Sequence, residues 1–426
     1  MSSDSVDRRR FLGVTAAAAA AMFIKPALVH GTHANSAIRV GLLGCGGRGT
    51  EDAGNLVDTG GARVVALADL FQDQLDAAHA HFDQFQQAKG YPAIDSKQLF
   101  VGSHAFEQIA ASKEVDAIVI ATPPYFHPRH LETVVAGGKH VYLEKPVAID
   151  VPGAKRVLEI GKRAQGKLSL DVGFQIRDCP PFVELVRRIH AGALGNIVCG
   201  EAYYLTGYID RPAWPGASPA ERRLRNWVHD HVLSGDIIVE QNIHVIDICN
   251  WVLQAHPVKA TATGGRQGRP ADDGDCYGNY NVLFRYPGNV DVTFSSTQFA
   301  KGWWDVSERF FGTKGTSLSP YSGPLGIWGD EPWQAPLSLQ QGQPQAFSVT
   351  GNFTSNLESA DAEKKKAFIE SINSGNFHNQ AEKGTESALS CMMARTAAYT
   401  GREITWDELL KSTEVWDARL NLDTLR

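Results

Sequence analysis

From Ile38 onward, short apolar runs alternate with longer amphipathic stretches. Ile38–Leu43 is apolar but for Arg39 and reads as a strand buried on both faces. A glycine-rich turn follows, then a helix through Ala53 and Leu56. Arg63–Ala68 is a second strand, ending at Asp69, and a helical stretch runs from about Gln72 to Ala88. The alternation continues with a strand at Val115–Ala121, a helix at Pro128–Ala136, and a strand at His140–Leu143. A helix at Val151–Ala164 and a strand at Leu168–Gly173 complete it. Strands alternating with helices over this length predict a parallel sheet wound on both sides by helices.

After about Asp178 the period changes. A helix at Phe182–Ile189 precedes longer strands at Ile197–Leu205, Val258–Gly264, Gly278–Tyr286, Asn289–Ser295 and Val306–Gly312. Turn sequences such as Tyr286-Pro287-Gly288-Asn289 join them as antiparallel hairpins. One amphipathic helix, Glu240–Leu253, interrupts the set. The segment Gly329–Gln345 reads as a loop, and late helices are expected at Ala362–Ser374 and Thr385–Gly401. In the first of these, Lys364-Lys365-Lys366 reads as a solvated face.

Composition narrows the picture. The 426 residues exceed one compact core and suit two domains. With 41 basic against 47 acidic side chains and a net charge of −6, there is no basic excess to neutralise phosphates, so nucleic acid is not an expected partner. Six cysteines (Cys45, Cys179, Cys199, Cys249, Cys276, Cys391) form no CxxC pair and no zinc spacing, and read as buried thiols. Residues 1–34 read as an export signal. Arg8-Arg9-Arg10-Phe11-Leu12 precedes an alanine-rich run too short to span a bilayer, with small residues near Ala34 and Ala37 for cleavage. The arginines followed by Phe-Leu resemble the twin-arginine (Tat) signal, which carries folded proteins. The expected location is periplasmic or secreted, with no membrane span in the mature protein.

Gly44-Cys45-Gly46-Gly47-Arg48-Gly49 is a GxGxxG run that follows the first strand and opens a helix. The first glycine permits the tight turn, the second admits a pyrophosphate, and the third lets helix and strand pack closely. Asp69 ends the next strand, where a carboxylate accepts hydrogen bonds from ribose hydroxyls. It would repel a 2′-phosphate, so NAD is favoured over NADP. The expected fold class is therefore an α/β Rossmann domain with a parallel sheet over 36–175. An α+β domain with an open, mostly antiparallel sheet follows over 176–426.

Three further segments carry a resemblance. Ile120-Ala121-Thr122-Pro123-Pro124 with His127 follows one strand. Gly138-Lys139-His140-Val141-Tyr142-Leu143-Glu144-Lys145-Pro146 spans the next. Ser234-Gly235-Asp236 leads into Glu240-Gln241-Asn242-Ile243-His244-Val245-Ile246-Asp247. Together they resemble the glucose–fructose oxidoreductase/inositol dehydrogenase/MocA family, over nearly all of the chain from Ile38. The resemblance implies that Thr122, Pro123, Pro124 and His127 lie along the dinucleotide, that Glu144 and Lys145 flank the nicotinamide ribose, and that Gln175 and Arg177 lie on the nicotinamide side. It also implies a homo-oligomer, and His244 matches the family's catalytic histidine.

Hydride transfer from a carbinol needs a base for the hydroxyl proton. His244 is the candidate base, and Lys145 the donor that stabilises alkoxide character. Glu240 stands where many family members carry aspartate, four residues before the histidine. Asp236, Trp227 and Tyr203 are substrate-contact candidates, and Asp247 an orienting partner of His244. Trp214, Trp303 and Trp304 could stack on a sugar ring or simply pack. His229, Asp230, His231, Glu240 and His244 lack zinc-site spacing, and no metal is expected. The expected function is oxidation or reduction of a sugar, glycoside or polyol hydroxyl by a tightly bound, recycled NAD(H). The competing expectations are glycoside cleavage through oxidation, elimination, hydration and reduction, and a non-catalytic sugar-binding protein.

Overall fold

A computed structural model describes residues 37–271, 273–336 and 355–425, so the export-signal reading lies outside the described residues. Six strands form a parallel sheet: β1 (Ile38–Leu43), β2 (Ala62–Asp69), β3 (Leu99–Val101), β4 (Ala117–Ile120), β5 (His140–Leu143) and β6 (Leu170–Val172), in the order β3-β2-β1-β4-β5-β6. Strand order reverses between β1 and β4, the crevice where such sheets bind ligands beyond the strand ends. β3 and a helix at Ala105–Ala111 are apolar but, at three and seven residues, too short to show a period, and are not expected from the sequence.

The second sheet has nine strands. They are β7 (Ile197–Leu205), β8 (Lys259–Gly265), β9 (Asn279–Tyr286), β10 (Val290–Thr297), β11 (Asp305–Gly312), β12 (Gly315–Pro320), β13 (Gly326–Gly329), β14 (Trp333–Gln334) and β15 (Ile404–Thr405). Their order is β14-β13-β12-β11-β7-β10-β9-β8-β15. All pairs are antiparallel except β7 with β10, so the sheet is mixed but mostly antiparallel. That pair is parallel because the chain leaves β7, crosses through helices and returns, which a hairpin cannot do. β14 corrects the expectation of a loop throughout Gly329–Gln345, of which 337–345 lies outside the described residues.

Alternation along β7, β9 and β10 buries Ala202, Tyr204, Phe284 and Phe294 on the inner face, while Leu283 stands on the outer face. The inner face packs against the helix Ile243–Leu253. One apolar core runs through both sheets, from Leu143 and Val172 to Ala202 and Phe294.

The late helices, Ala360–Ser374 and Ala381–Thr400, pack back on the first domain. Phe368 is buried edge-on against Tyr142, ring centroids 5.8 Å apart. The expected solvated face at Lys364 and Lys365 is overturned. Both side chains are fully buried, Lys364 against Asp171 (3.2 Å) and Asp178 (3.1 Å), Lys365 against Asp52 (2.5 Å) and Asp361 (3.1 Å). Lys364 lies four residues from both Ala360 and Phe368, on the buried stripe, and carboxylates meet the charges there. Only Lys366 faces solvent.

Candidate active site

The glycine turn after β1 meets β4 backbone to backbone. A Cβ on Gly44, where φ is +97°, would lie 2.7 Å from the Ala121 carbonyl carbon, and one on Gly49 would lie 2.1 Å from the Gly44 oxygen. Gly46 and Gly47 instead face open space, with nothing within 4 Å of a Cβ. They open the helix Gly47–Asp58, whose first amides have no acceptor within the helix. A cavity of about 330 Å³ lies there, lined by Gly44, Gly46, Gly47, Asp69, Thr122 and Pro123. Asp69 is held by the turn itself: its carboxylate accepts from the Cys45 amide (2.7 Å) and the Phe71 amide (2.8 Å). Each oxygen keeps capacity for a further donor. Open space over two glycines, a helix N-terminus and an anchored carboxylate fit a dinucleotide's pyrophosphate and ribose.

Pro124 starts a short turn, Pro124–Phe126, and is buried away from the cavity. His127 is buried too. Its ring nitrogens lie 2.7 Å from the Thr122 and Pro146 carbonyl oxygens, between the β4 loop and the β5 loop, and the neutral ring donates to one of the two. Burial lowers its pKa to about 4.

Arg48 does not point into the cavity freely. Its guanidinium pairs with Glu144 (3.1 Å), Asp52 (3.1 Å) and Asp361 (2.7 Å), with Glu51 at 3.4 Å. The same Glu144 accepts from the Lys145 amide at 3.1 Å. The turn, the Glu144-Lys145 segment and the helix Ala360–Ser374 are thereby tied by one charge cluster. Asp361 and Asp52 are not among the sequence candidates, and Lys365 is among them only as part of the expected solvated face; the four-residue spacing of Lys365 to Asp361 and Ile369 is the available signal.

Lys145 reaches across to the second domain. Its Nζ donates to Glu240 Oε1 at 2.9 Å and to the Glu240 carbonyl at 2.6 Å. The expected continuous helix is broken at Gln241-Asn242: Glu240 ends the helix Ile237–Glu240, and His244 sits in the first turn of Ile243–Leu253. Glu240 and His244 are thus presented by two short elements rather than one face. The His244 ring packs edge-on to Phe174 at 6.2 Å, and its Nδ1 is buried with no hydrogen-bond partner among the described residues. Burial, with the charges of Lys145 and Arg48, holds its pKa well below the usual value, so the imidazole is neutral. Gln175 Oε1 is a further buried acceptor without a partner among the described residues.

Other candidates lie elsewhere. Arg177 is clamped on Asp247 (2.7 and 2.9 Å) and lies over the Trp251 ring, which also removes Asp247 from His244. Asp236 is fully buried; its carboxylate accepts from Tyr399, the Ile237 amide (2.6 Å) and the Tyr277 amide (3.1 Å), so it braces the core rather than a substrate. Tyr203 lies on the outer sheet face, donating to Glu201 (3.0 Å) beneath Arg309. Trp227 and Trp214 line the glycine-turn cavity, away from Lys145. His229 pairs with Asp273 (3.3 Å) and His231 with Asp275, apart from His244. All six cysteines are free, five of them buried.

The profile of an oxidoreductase family with an NAD-binding Rossmann fold matches residues 38–172, and that of the GFO/IDH/MocA C-terminal domain matches 182–317. The chain is 26% identical to an inositol 2-dehydrogenase of Rhizobium meliloti over 292 residues, 68% of this chain and 78% of that one. It is 30% identical to a glycosyl hydrolase family 109 protein of Streptomyces niveus over 172 residues, 40% of this chain and 33% of that one. In fold it is similar to the aldose-aldose oxidoreductase of Caulobacter crescentus, with a TM-score of 0.67 over 87% of this chain and 99% of that one, at 17% identity. Both sheets, the glycine turn at their crevice and the two matched profiles lead to one assignment: the chain belongs to the GFO/IDH/MocA family of NAD-binding oxidoreductases.

Proposed function

We propose that this enzyme oxidises and reduces a carbinol of a sugar or polyol with an NAD(H) that stays bound through successive turnovers. The observation that carries the reading is the Lys145–Glu240 pair beside a neutral His244 whose Nδ1 has no partner among the described residues. Bound dinucleotide supplies the hydride acceptor or donor. Gly46, Gly47 and the helix amides hold its pyrophosphate, and Asp69 its adenosine ribose. His244 takes the substrate hydroxyl proton as the carbonyl forms, and returns it in the reverse direction. Lys145, aimed by Glu240, donates a hydrogen bond to the same oxygen and stabilises its developing negative charge. Gln175 offers a buried acceptor to a substrate hydroxyl or the nicotinamide carboxamide.

The export reading supports cofactor retention. A Tat-type signal at residues 1–34 would deliver a folded, loaded enzyme to a compartment poor in free dinucleotide. A reporter fused to residues 1–40 should leave the cytoplasm, and should stay there once Arg8, Arg9 and Arg10 are changed to Lys. The outer face of the nine-stranded sheet is the proposed surface for homo-oligomerisation.

The similarity to glycosyl hydrolase family 109 proteins favours a second reading, in which the same residues run a redox-neutral glycoside cleavage. One experiment separates them. Mature protein is purified, its dinucleotide is released and weighed, and the loaded enzyme is offered sugar pairs and aryl glycosides. Bound NAD(H) with sugar-pair turnover supports the leading reading, and aglycone release without net NADH supports the second. Empty protein that works only with added NAD refutes retention.

A further inference from the structure

The wall that closes the glycine-turn cavity comes from outside the first domain. Trp214, Leu224, Arg225, Trp227 and Leu422 line it opposite Gly46 and Asp69. Part of this wall is fixed. Arg225 pairs with Asp73 (2.9 Å) and Glu221 (2.8 Å), and its guanidinium lies 3.8 Å from the Phe71 ring centre and 4.7 Å from that of Trp214.

Leu422 belongs to a different kind of element. Residues 413–425 have no regular structure beyond one turn at Leu422–Thr424. They cross from the second domain to the first with Trp416 held under Arg395 (3.9 Å to the ring centre) and edge-on to His231, and with few hydrogen bonds beyond it. The Trp416 amide donates to Asp150 (3.0 Å), Arg223 donates to the Ala418 carbonyl (2.5 Å), and Ser103, just beyond β3, donates to Asp423. Ala418 and Leu425 are the buried apolar anchors. Behind this strap lies a second cavity of about 510 Å³, and Leu422, Ser103 and Phe126 line both cavities. Leu420 and Leu422 are only partly buried against the apolar cluster of Phe71, Leu224 and Leu425, and a partition with space on each side makes fewer dispersion contacts than a packed element, so it opens at lower free energy than the core around it.

We propose that the strap 413–425 is the gate of the adenosine half of the site, and that its detachment sets the rate at which the dinucleotide leaves. Release of Leu422 and Asp423 joins the two cavities and opens the adenosine end sideways, while the Arg225 wall stays in place. The inference rests on the retained-cofactor reading and gives it a structural cause.

The test is the NADH off-rate, read by stopped-flow loss of tryptophan-to-NADH energy transfer on mixing loaded enzyme with excess NAD. Deletion of 413–426 should speed release by roughly tenfold or more, since affinity changes at one interface fall mainly in the off-rate. Asp423→Ala, which cuts only the tie to Ser103, should speed it several-fold with an unchanged thermal midpoint. Leu422→Ala should do the same if the deletion fails to fold. Off-rates equal to that of the intact chain in the folded variants overturn the gate. Rapid NADH loss from the intact chain sinks retention instead, because the gate is judged on the ratio of rates.

Discussion

Lys145 and Glu240 face each other across the domain boundary at 2.9 Å, each side chain about one-eighth exposed. Removing the ammonium leaves Glu240 with an unpaired charge and the substrate oxygen with no cationic donor. Lys145→Met should lower kcat by about a hundredfold to ten-thousandfold with NAD affinity little changed, checked by steady-state kinetics and dinucleotide titration. The neutral histidines carry a second expectation. Burial lowers His127 from 6.5 to about 4 and His130 to about 3. Below pH 6.5 the unfolded chain binds protons that the fold refuses, so stability present above that pH is lost as pH falls toward 4, by about 3 kcal/mol per ring. Urea unfolding at stepped pH should show this slope, and His130→Phe, which keeps the ring against Phe106 and Phe126, should lose part of it. The glycine turn, Asp69, Glu144-Lys145-Pro146 and His244 were legible because each sits at a fixed offset from a strand or helix end. Arg177, Asp236 and Tyr203 were not: offset says which residue is near a cleft, whereas Asp247, Tyr399 and Glu201 decide which way each side chain turns.

At the level of elements, the apolar period exposed the long strands and helices but not the short edge strands. β12, β13 and β14 are rich in Gly and Ser or only two to six residues long, and exist because β11 offers an edge to extend. The break at Gln241-Asn242 was hidden for the opposite reason, since the flanking residues keep a helical apolar period while Asp236, with φ of +74°, starts the first short helix at a sharp angle. The helix Ala360–Ser374 shows how far context overrides pattern. Its buried Lys365 answers Asp52, whose pKa burial pushes up to about 7, and Asp361. Lys365→Met should cost about 3–5 kcal/mol, because it breaks a buried ion pair and leaves Asp52 to Arg48 alone, and adding Asp52→Asn should recover part of the loss. Thermal unfolding of the two singles and the double measures that coupling.

Across the whole molecule, a single apolar core joins the two sheets, and the outer face of the larger sheet carries Val198 and Leu283, 59% and 41% exposed. If copies associate through that face, Leu283→Glu should lower the sedimentation coefficient while leaving the fold intact by circular dichroism. The Rossmann half, by contrast, borrows its closing contacts from far along the chain: Arg48 meets Asp361 across 313 positions, and the Tyr142 hydroxyl accepts from Lys365 across 223. A ribosome releasing this sequence in order therefore exposes the nucleotide-binding half long before the helix that neutralises its buried carboxylates is made. Synthesis of the last segments, not of the first domain, gates folding, and the chaperone load of such a high-contact-order chain falls on the nascent first half.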